Sequence, residues 1–390
     1  MLHGITHDFL MHSFSKQSSQ IYLDNNATTL VDPRVVQAMV PFLSECYGNP
    51  SSMHWSGRQA QHHLMQARES IAAFFQVKPR EILFTSSGTE GANMLIRGLF
   101  PTFSGHIVTS SVEHACVYAT VKKLEEKGCS ATFISPGLHG AVTVDAVKAA
   151  VRPDTRCIVL MAVNNETGVK TDLAAIAEFA EAAHIPLLID GVCWLGKERV
   201  FLPKGVSAAW FSGHKLHAPK GIGFAVVRRS VKIAPLLTGG EQEYGLRGGT
   251  ENLPGIVALA EAVRLLSDEL PTASLRMERL RNKLEQTLRS ELPGTVINGE
   301  GQRVCNTTNL AFEGIDGETL IMLLDRQGLA VSHGSACSSG ALEPSRALLN
   351  MGIPLERARS SIRFSLSRFT KEEEIDEAIR IILHIIHSIK

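Results

Sequence analysis

Seven short apolar runs mark the chain between residues 81 and 227: EILFT, HIVTS, ATFIS, RCIVLMAV, IPLLID, AAWFS and GFAVV. Continuous apolar character over so few residues predicts strands buried on both faces. The stretches between them, VYATVKKLEEKG and DLAAIAEFAEAAH among them, repeat apolar residues at helical spacing. Strand–helix alternation predicts a mostly parallel seven-stranded sheet flanked by helices, an α/β architecture. A long helical stretch, LPGIVALAEAVRLLSDEL followed by SLRMERLRNKLEQTLRSEL, comes next. The remainder mixes strands (NTTNLAF, SIRFSL) with helices and ends on Ile375, Ile379, Ile382, Ile386 and Ile389, one face of an amphipathic helix. The pattern therefore reads as a large α/β domain ending near residue 270 and a smaller α+β domain after it.

Composition narrows the function. The 390 residues hold 39 Lys plus Arg and 39 Asp plus Glu, so no charge excess marks a nucleic-acid or membrane partner. A small substrate or a protein partner fits better. The seven cysteines are odd in number and scattered, with no CxxC pair, which argues against a disulfide framework and a thiolate zinc site and suits a reducing cytoplasm. Residues 1–20 lack the apolar run of a secretory signal and read as a flexible extension.

The candidate chemistry sits where strands end, the place at which sheets of this type bind ligands. Lys215 follows AAWFS; Asp190 ends IPLLID; Asn165 follows RCIVLMAV; His114 follows HIVTS; Ser87, Gly88 and Thr89 follow EILFT and open a helix. These residue types suit pyridoxal 5'-phosphate. A lysine amine condenses with its aldehyde, a carboxylate keeps its ring nitrogen protonated, and a helix N-terminus with small hydroxyl residues holds its phosphate.

Motifs then recur in order along nearly the whole chain: YLDNNATT (22–29), YGNPSSMH (47–54), FTSSGTE (84–90), EH (113–114), NNETG (164–168), FSGHK (211–215), RGGTEN (247–252), GSACSSG (334–340), LEPS (342–345) and SSIRFS (360–365). On these the chain resembles the NifS/IscS-like cysteine desulfurases, in the class V aminotransferase group of fold-type I pyridoxal-phosphate enzymes. The resemblance implies a homodimer that takes L-cysteine and hands sulfur to an acceptor protein. It implies a large cofactor-binding domain over 34–270 and a small domain formed by 21–33 and 271–390. Lys215 would bear the cofactor, Asp190 would pair with its ring nitrogen, and His114 would stack on the ring. Asn165 would bond its phenolate oxygen and also meet substrate. Gly88, Thr89, Ser212 and His214 would hold the phosphate, with Thr250 reaching the phosphate of the neighbouring subunit. Arg363 would clamp the substrate carboxylate, a task suited to its planar fork; a structural ion pair is the alternative. Cys337 lies in a Gly/Ser-rich stretch of the kind that forms mobile, exposed loops and would take the sulfur as a persulfide.

One position departs from the family. The glutamine usual three residues after the motif aspartate is replaced by Cys193, a weaker donor to the phenolate oxygen, so a shifted cofactor–lysine titration and an altered substrate preference are expected. His333 either tunes Cys337 or is a solvated loop residue, and the latter is the expectation. Two other functions fit the same residues. One is a selenocysteine lyase or another class V lyase or transferase. The other is a non-enzymatic scaffold for sulfur-transfer proteins.

Overall fold

The computed structural model describes residues 20–334 and 344–389. Residues 1–19, most of the N-terminal extension, lie outside that range. So do 335–343, which include Cys337.

Twelve strands are formed among the described residues. They are β1 (Ile21–Tyr22), β2 (Ile82–Thr85), β3 (His106–Ser110), β4 (Ser130–Ile134), β5 (Thr155–Met161), β6 (Leu187–Asp190), β7 (Val206–Ser212), β8 (Gly223–Val227), β9 (Thr295–Ile297), β10 (Thr307–Phe312), β11 (Leu329–Ala330) and β12 (Ser361–Ser365). The seven apolar runs become one sheet in the order β2-β8-β7-β6-β5-β3-β4. The β8 strand alone runs against its neighbours β2 and β7, and the pairs from β7 through β6, β5 and β3 to β4 are parallel. The expected architecture is the observed one.

Why these runs carry no polar alternation is visible in the packing. Successive strand residues point to opposite faces, and both faces are covered. Ile82, Phe84, Val108, Ile158, Leu160, Ile189 and Phe211 enter one core, whereas Leu83, Ile107, Cys157, Val159, Leu188 and Trp210 enter a second. Each such large side chain stabilises the fold by about 1.5–3 kcal/mol when fully buried. The helices Trp55–Phe75 and Leu253–Glu291 contribute to the first core, and Gly88–Gly98 and Ala115–Glu125 to the second.

The two long helical stretches are one helix, Leu253–Glu291, running through Pro271. Asn252 caps it by accepting from Gly255 N at 3.1 Å, satisfying a donor that no helical carbonyl can reach. Residue 270, where the sequence reading ends the large domain, falls inside this helix. Beyond it β12-β10-β9 form an antiparallel three-stranded sheet, and Glu372–Ile389 is the expected amphipathic helix, with Ile375, Ile379, Ile382 and Ile386 buried. Among the described residues no helix is long and apolar enough to cross a membrane.

Candidate active site

Parallel strands end on one edge of a sheet, so the loops after β3, β5, β6 and β7 meet there. The β2 strand runs opposite to β8, as β7 does, and its C-terminal end joins them. They enclose a cleft lined by Gly88, Thr89, His114, Asn165, Asp190, Cys193, Ser212, His214, Lys215 and Arg363, ten of the twelve expected site residues. It holds about 760 Å³ of empty space, its open mouth included, within the range of small-molecule sites. Thr250 is exposed and lines a separate hollow with Phe84, Glu243 and Arg247. Cys337 is outside the described residues, but the chain on both sides of its segment is placed. Ser345 Oγ donates to Glu166 Oε2, next to Asn165. Ser332 pairs its backbone with Arg363, and a side chain added at Gly334 would come within 3.5 Å of Glu166 Oε2.

Lys215 sits in a tight turn after β7 (Gly213–Lys215). Its ammonium donates to the carbonyls of Asn26 and, at 2.8 Å, Ala27. Asn26 and Ala27 thus line the cleft from YLDNNATT, a motif whose quoted letters carried no assigned role.

Asp190 ends β6 with its side chain buried. It accepts from Val192 N at 3.0 Å, and no described residue forms a salt bridge with it. Burial pushes its carboxyl up to about 6, against smaller opposing effects of Val192 N–H, Trp210 and Lys215. The Trp210 indole N–H is near enough to matter there, yet it completes no hydrogen bond of its own. A buried carboxylate that lacks a paired cation in the protein is a partner for one brought by a ligand.

His114 caps the Ala115–Glu125 helix, Nδ1 accepting from Cys116 N at 3.2 Å and lying 3.0 Å from Cys116 Sγ. Burial, then the charges of Lys215 and Arg346, hold its pKa down at about 4, so it is a neutral flat ring at physiological pH. His214 is likewise held at about 4 by burial and then Lys215. Its Nδ1 is 3.2 Å from Thr28 Oγ1; with that hydroxyl donating, Nε2 carries the hydrogen and can donate to an anion. Ser87 caps the Gly88–Gly98 helix, its Oγ accepting from Glu90 N at 3.1 Å. Glycine at 88 lets the helix start pack against Val192: a Cβ there would lie 2.8 Å from Val192 Cγ2, and one of the two would have to shift.

Arg363 is fully buried on β12. Nη2 pairs with Asp24 Oδ1 at 2.7 Å and Nη1 donates to the Asn165 carbonyl at 3.0 Å, while Nε is buried without a partner among the described residues. The structural ion pair, the alternative reading of Arg363, is therefore present, and Arg363 still lines the cleft. His333 departs from the expected solvated residue. It is half-buried, Nδ1 2.6 Å from the Ser361 carbonyl, because its backbone follows β11 toward β12 rather than open solvent.

A second layer went unnoticed in the sequence. Arg346 donates to the carbonyls of Ser111 and Glu113, the latter at 2.5 Å, and Asn350 to Ser111 at 2.7 Å; together they clamp the loop that carries His114. Glu113 is buried there, with Ser110 Oγ donating to it at 2.6 Å, and burial pushes its carboxyl up to about 8. Only proximity in the fold links residues 111–113 to 346–350, so spacing along the chain held no signal. Cys116 was detectable, two residues after His114.

Known proteins resemble the chain along most of its length. Residues 21–378 match the family model for aminotransferase class-V. A cysteine desulfurase of Nostoc sp. is 43% identical over 376 residues, covering 95% of this chain and 94% of that protein. The chain belongs to the cysteine desulfurase family of class V aminotransferases. Among solved structures, this desulfurase-family chain is similar to a NifS-like protein (TM-score 0.88, 36% identity, covering 95% of this chain and 100% of that one). It is also similar to one described as SspA in complex with cysteine (TM-score 0.80, 32% identity, covering 90% and 100%).

Proposed function

We propose that this member of the family converts L-cysteine to L-alanine with pyridoxal 5'-phosphate, leaving the sulfur as a persulfide on Cys337. The observation that carries the reading is the convergence on one cleft of Lys215, Arg363 and the buried Asp190, which has no salt bridge among the described residues. The donor set fits the cofactor. Asp190 answers its ring nitrogen, the neutral His114 ring its flat face, and the Ser87-capped helix with Gly88, Thr89, Ser212 and His214 its phosphate. Asn165 and Cys193 would lie by its phenolate oxygen, and Lys215 would attach it. Bound there, it supplies an electron sink for charge developing at the substrate α-carbon.

The chain's own residues do the rest. Arg363 binds the substrate carboxylate through its fork. Lys215 Nζ takes the proton that leaves the α-carbon and returns one to it before alanine leaves. The Cys337 thiolate attacks the substrate sulfur, the bond from that sulfur to the β-carbon breaks, and the β-carbon gains a proton. Cysteine and a thiol become alanine and a persulfide, so atoms balance. The described residues flanking Cys337, Gly334 and Ser345, both lie beside Glu166, which supports a thiol able to reach the cleft. We further propose a homodimer in which exposed Thr250 completes the neighbour's phosphate site, an acceptor protein that takes the persulfide sulfur, a reducing cytoplasm as the workplace, and the domain division at residue 270.

The test is incubation with L-cysteine followed by mass spectrometry of the Cys337 peptide. A gain of one sulfur atom, with alanine formed in equal amount to sulfide under a reductant, is the expected result. No gain would sink the reading. Activity of Cys337→Ala on selenocysteine alone would move it to a lyase, and a colourless protein that takes up no pyridoxal phosphate would move it to a scaffold.

A further inference from the structure

One buried cation has no part in that reaction. Lys197 follows the turn after β6 and is 1% exposed. Among the described residues its ammonium makes one hydrogen bond, Nζ to the Lys215 carbonyl oxygen at 2.7 Å. The groups that act most on its charge are Cys193, Cys305, Lys215 and Arg368, and no carboxylate among the described residues forms a salt bridge with it. Its own backbone is anchored elsewhere. The Lys197 carbonyl accepts from Ser274 Oγ of the Leu253–Glu291 helix at 2.6 Å and from Cys305 Sγ at 3.1 Å. A lysine buried without a carboxylate costs stability, so a core position would be better filled by leucine or methionine. Its placement asks for another purpose.

We propose that Lys197 is a positioning residue for Lys215: its buried ammonium holds the Lys215 carbonyl and, through it, the direction in which the Lys215 side chain enters the cleft. This rests on Lys215 being the lysine that bears the cofactor. A buried carbonyl needs a donor, and Lys197 supplies one to this carbonyl. Fixing the carbonyl fixes the peptide plane after the Lys215 Cα, and the turn closed by Leu216 N donating to the Gly213 carbonyl at 3.0 Å holds the chain before it; together they set the Cα–Cβ bond. The same cation adds positive potential beneath the cleft. Burial brings it down to about 8, so most of it is charged at neutral pH, and its charge acts to lower His214, His217 and Cys193 as well.

The experiment is a pH titration of the visible absorbance of the holoenzyme, which reports the cofactor–lysine linkage, in wild type, Lys197→Met and Lys197→Gln. Methionine keeps the stem and removes donor and charge; glutamine keeps a donor and removes the charge. In both, the midpoint should rise by roughly one pH unit, because loss of a nearby cation favours the protonated form. In Lys197→Met, kcat should also fall roughly tenfold with KM for cysteine little changed, and Lys197→Gln should recover part of kcat. A folded variant with the wild-type midpoint and kcat would overturn the inference. So would two variants that fail to fold, since Lys197 would then serve the core rather than Lys215. If wild type itself shows no absorbance that borohydride fixes to Lys215, the reading of the site fails instead, and the two failures are told apart.

Discussion

Asp190 and Asp32 are both buried aspartates, 6% and 1% exposed, and their surroundings treat them in opposite ways. Asp32 caps the Pro33–Met39 helix and accepts from Arg34 N at 2.9 Å, Arg34 Nη2 at 2.7 Å and Arg368. Both arginines also reach Glu269 on the Leu253–Glu291 helix, each at 2.5 Å. These bonds hold the Asp32 carboxyl well below the usual range although burial opposes them. The cluster joins the N-terminal segment, the long helix and the loop after β12. Asp190 has a backbone N–H and no salt bridge among the described residues, and burial moves its carboxyl the other way. A saturated carboxylate is a clasp, and one left short of cations is a socket.

The largest effect belongs to the socket's chemistry: Lys215→Ala should abolish the visible absorbance and cut alanine formation by about 10³-fold or more, as a spectrum and an amino-acid assay would show. Next, Asp32→Asn should destabilise the chain by about 3 kcal/mol, because it leaves Arg368 buried with half its partners, whereas Asp190→Asn should leave the cofactor-free chain at least as stable; urea titrations compare them. The pH slopes should also oppose. Asp190 is raised in the fold, so its neutral form favours folding at low pH, and stability is lost as pH rises from about 4 to about 6. Asp32 is lowered, so its contribution is present above about pH 4 and lost as pH falls. Subtracting each variant's pH–stability curve from that of wild type isolates each slope.

Smaller effects refine the socket. Cys193→Gln should lower the midpoint of the absorbance titration by roughly half a pH unit, since an amide is a stronger donor to the phenolate oxygen than a thiol that burial keeps protonated; an identical curve would remove Cys193 from the account. His333→Ala should cost about 1 kcal/mol, the bond to the Ser361 carbonyl, and leave the pH–rate profile unchanged. A moved profile would return His333 to a role beside Cys337.

Much of the site was legible because a parallel sheet lines up what its strands end on. Asp190, Ser212 and Lys215 each stand within a few residues of a strand that its apolar letters reveal, so their convergence follows from topology. Arg363 was found by motif, but its pairing with Asp24 was not, because those residues meet only when β12 packs beside the segment after β1. The clamp of Arg346 on the His114 loop and the Lys197 strut under Lys215 were invisible for the same reason: donor and acceptor are joined by backbone carbonyls, which every residue has.

The amino-acid order by itself therefore determined the sheet, the helices and which side chains stand at the strand ends, since each is written in local periodicity and in residue type. Tertiary structure alone decided which buried charges are paired. The same aspartate side chain became a clasp at Asp32 and a socket at Asp190 because desolvation acts on both, and only packing from distant parts of the chain supplies, or withholds, the cations that offset it.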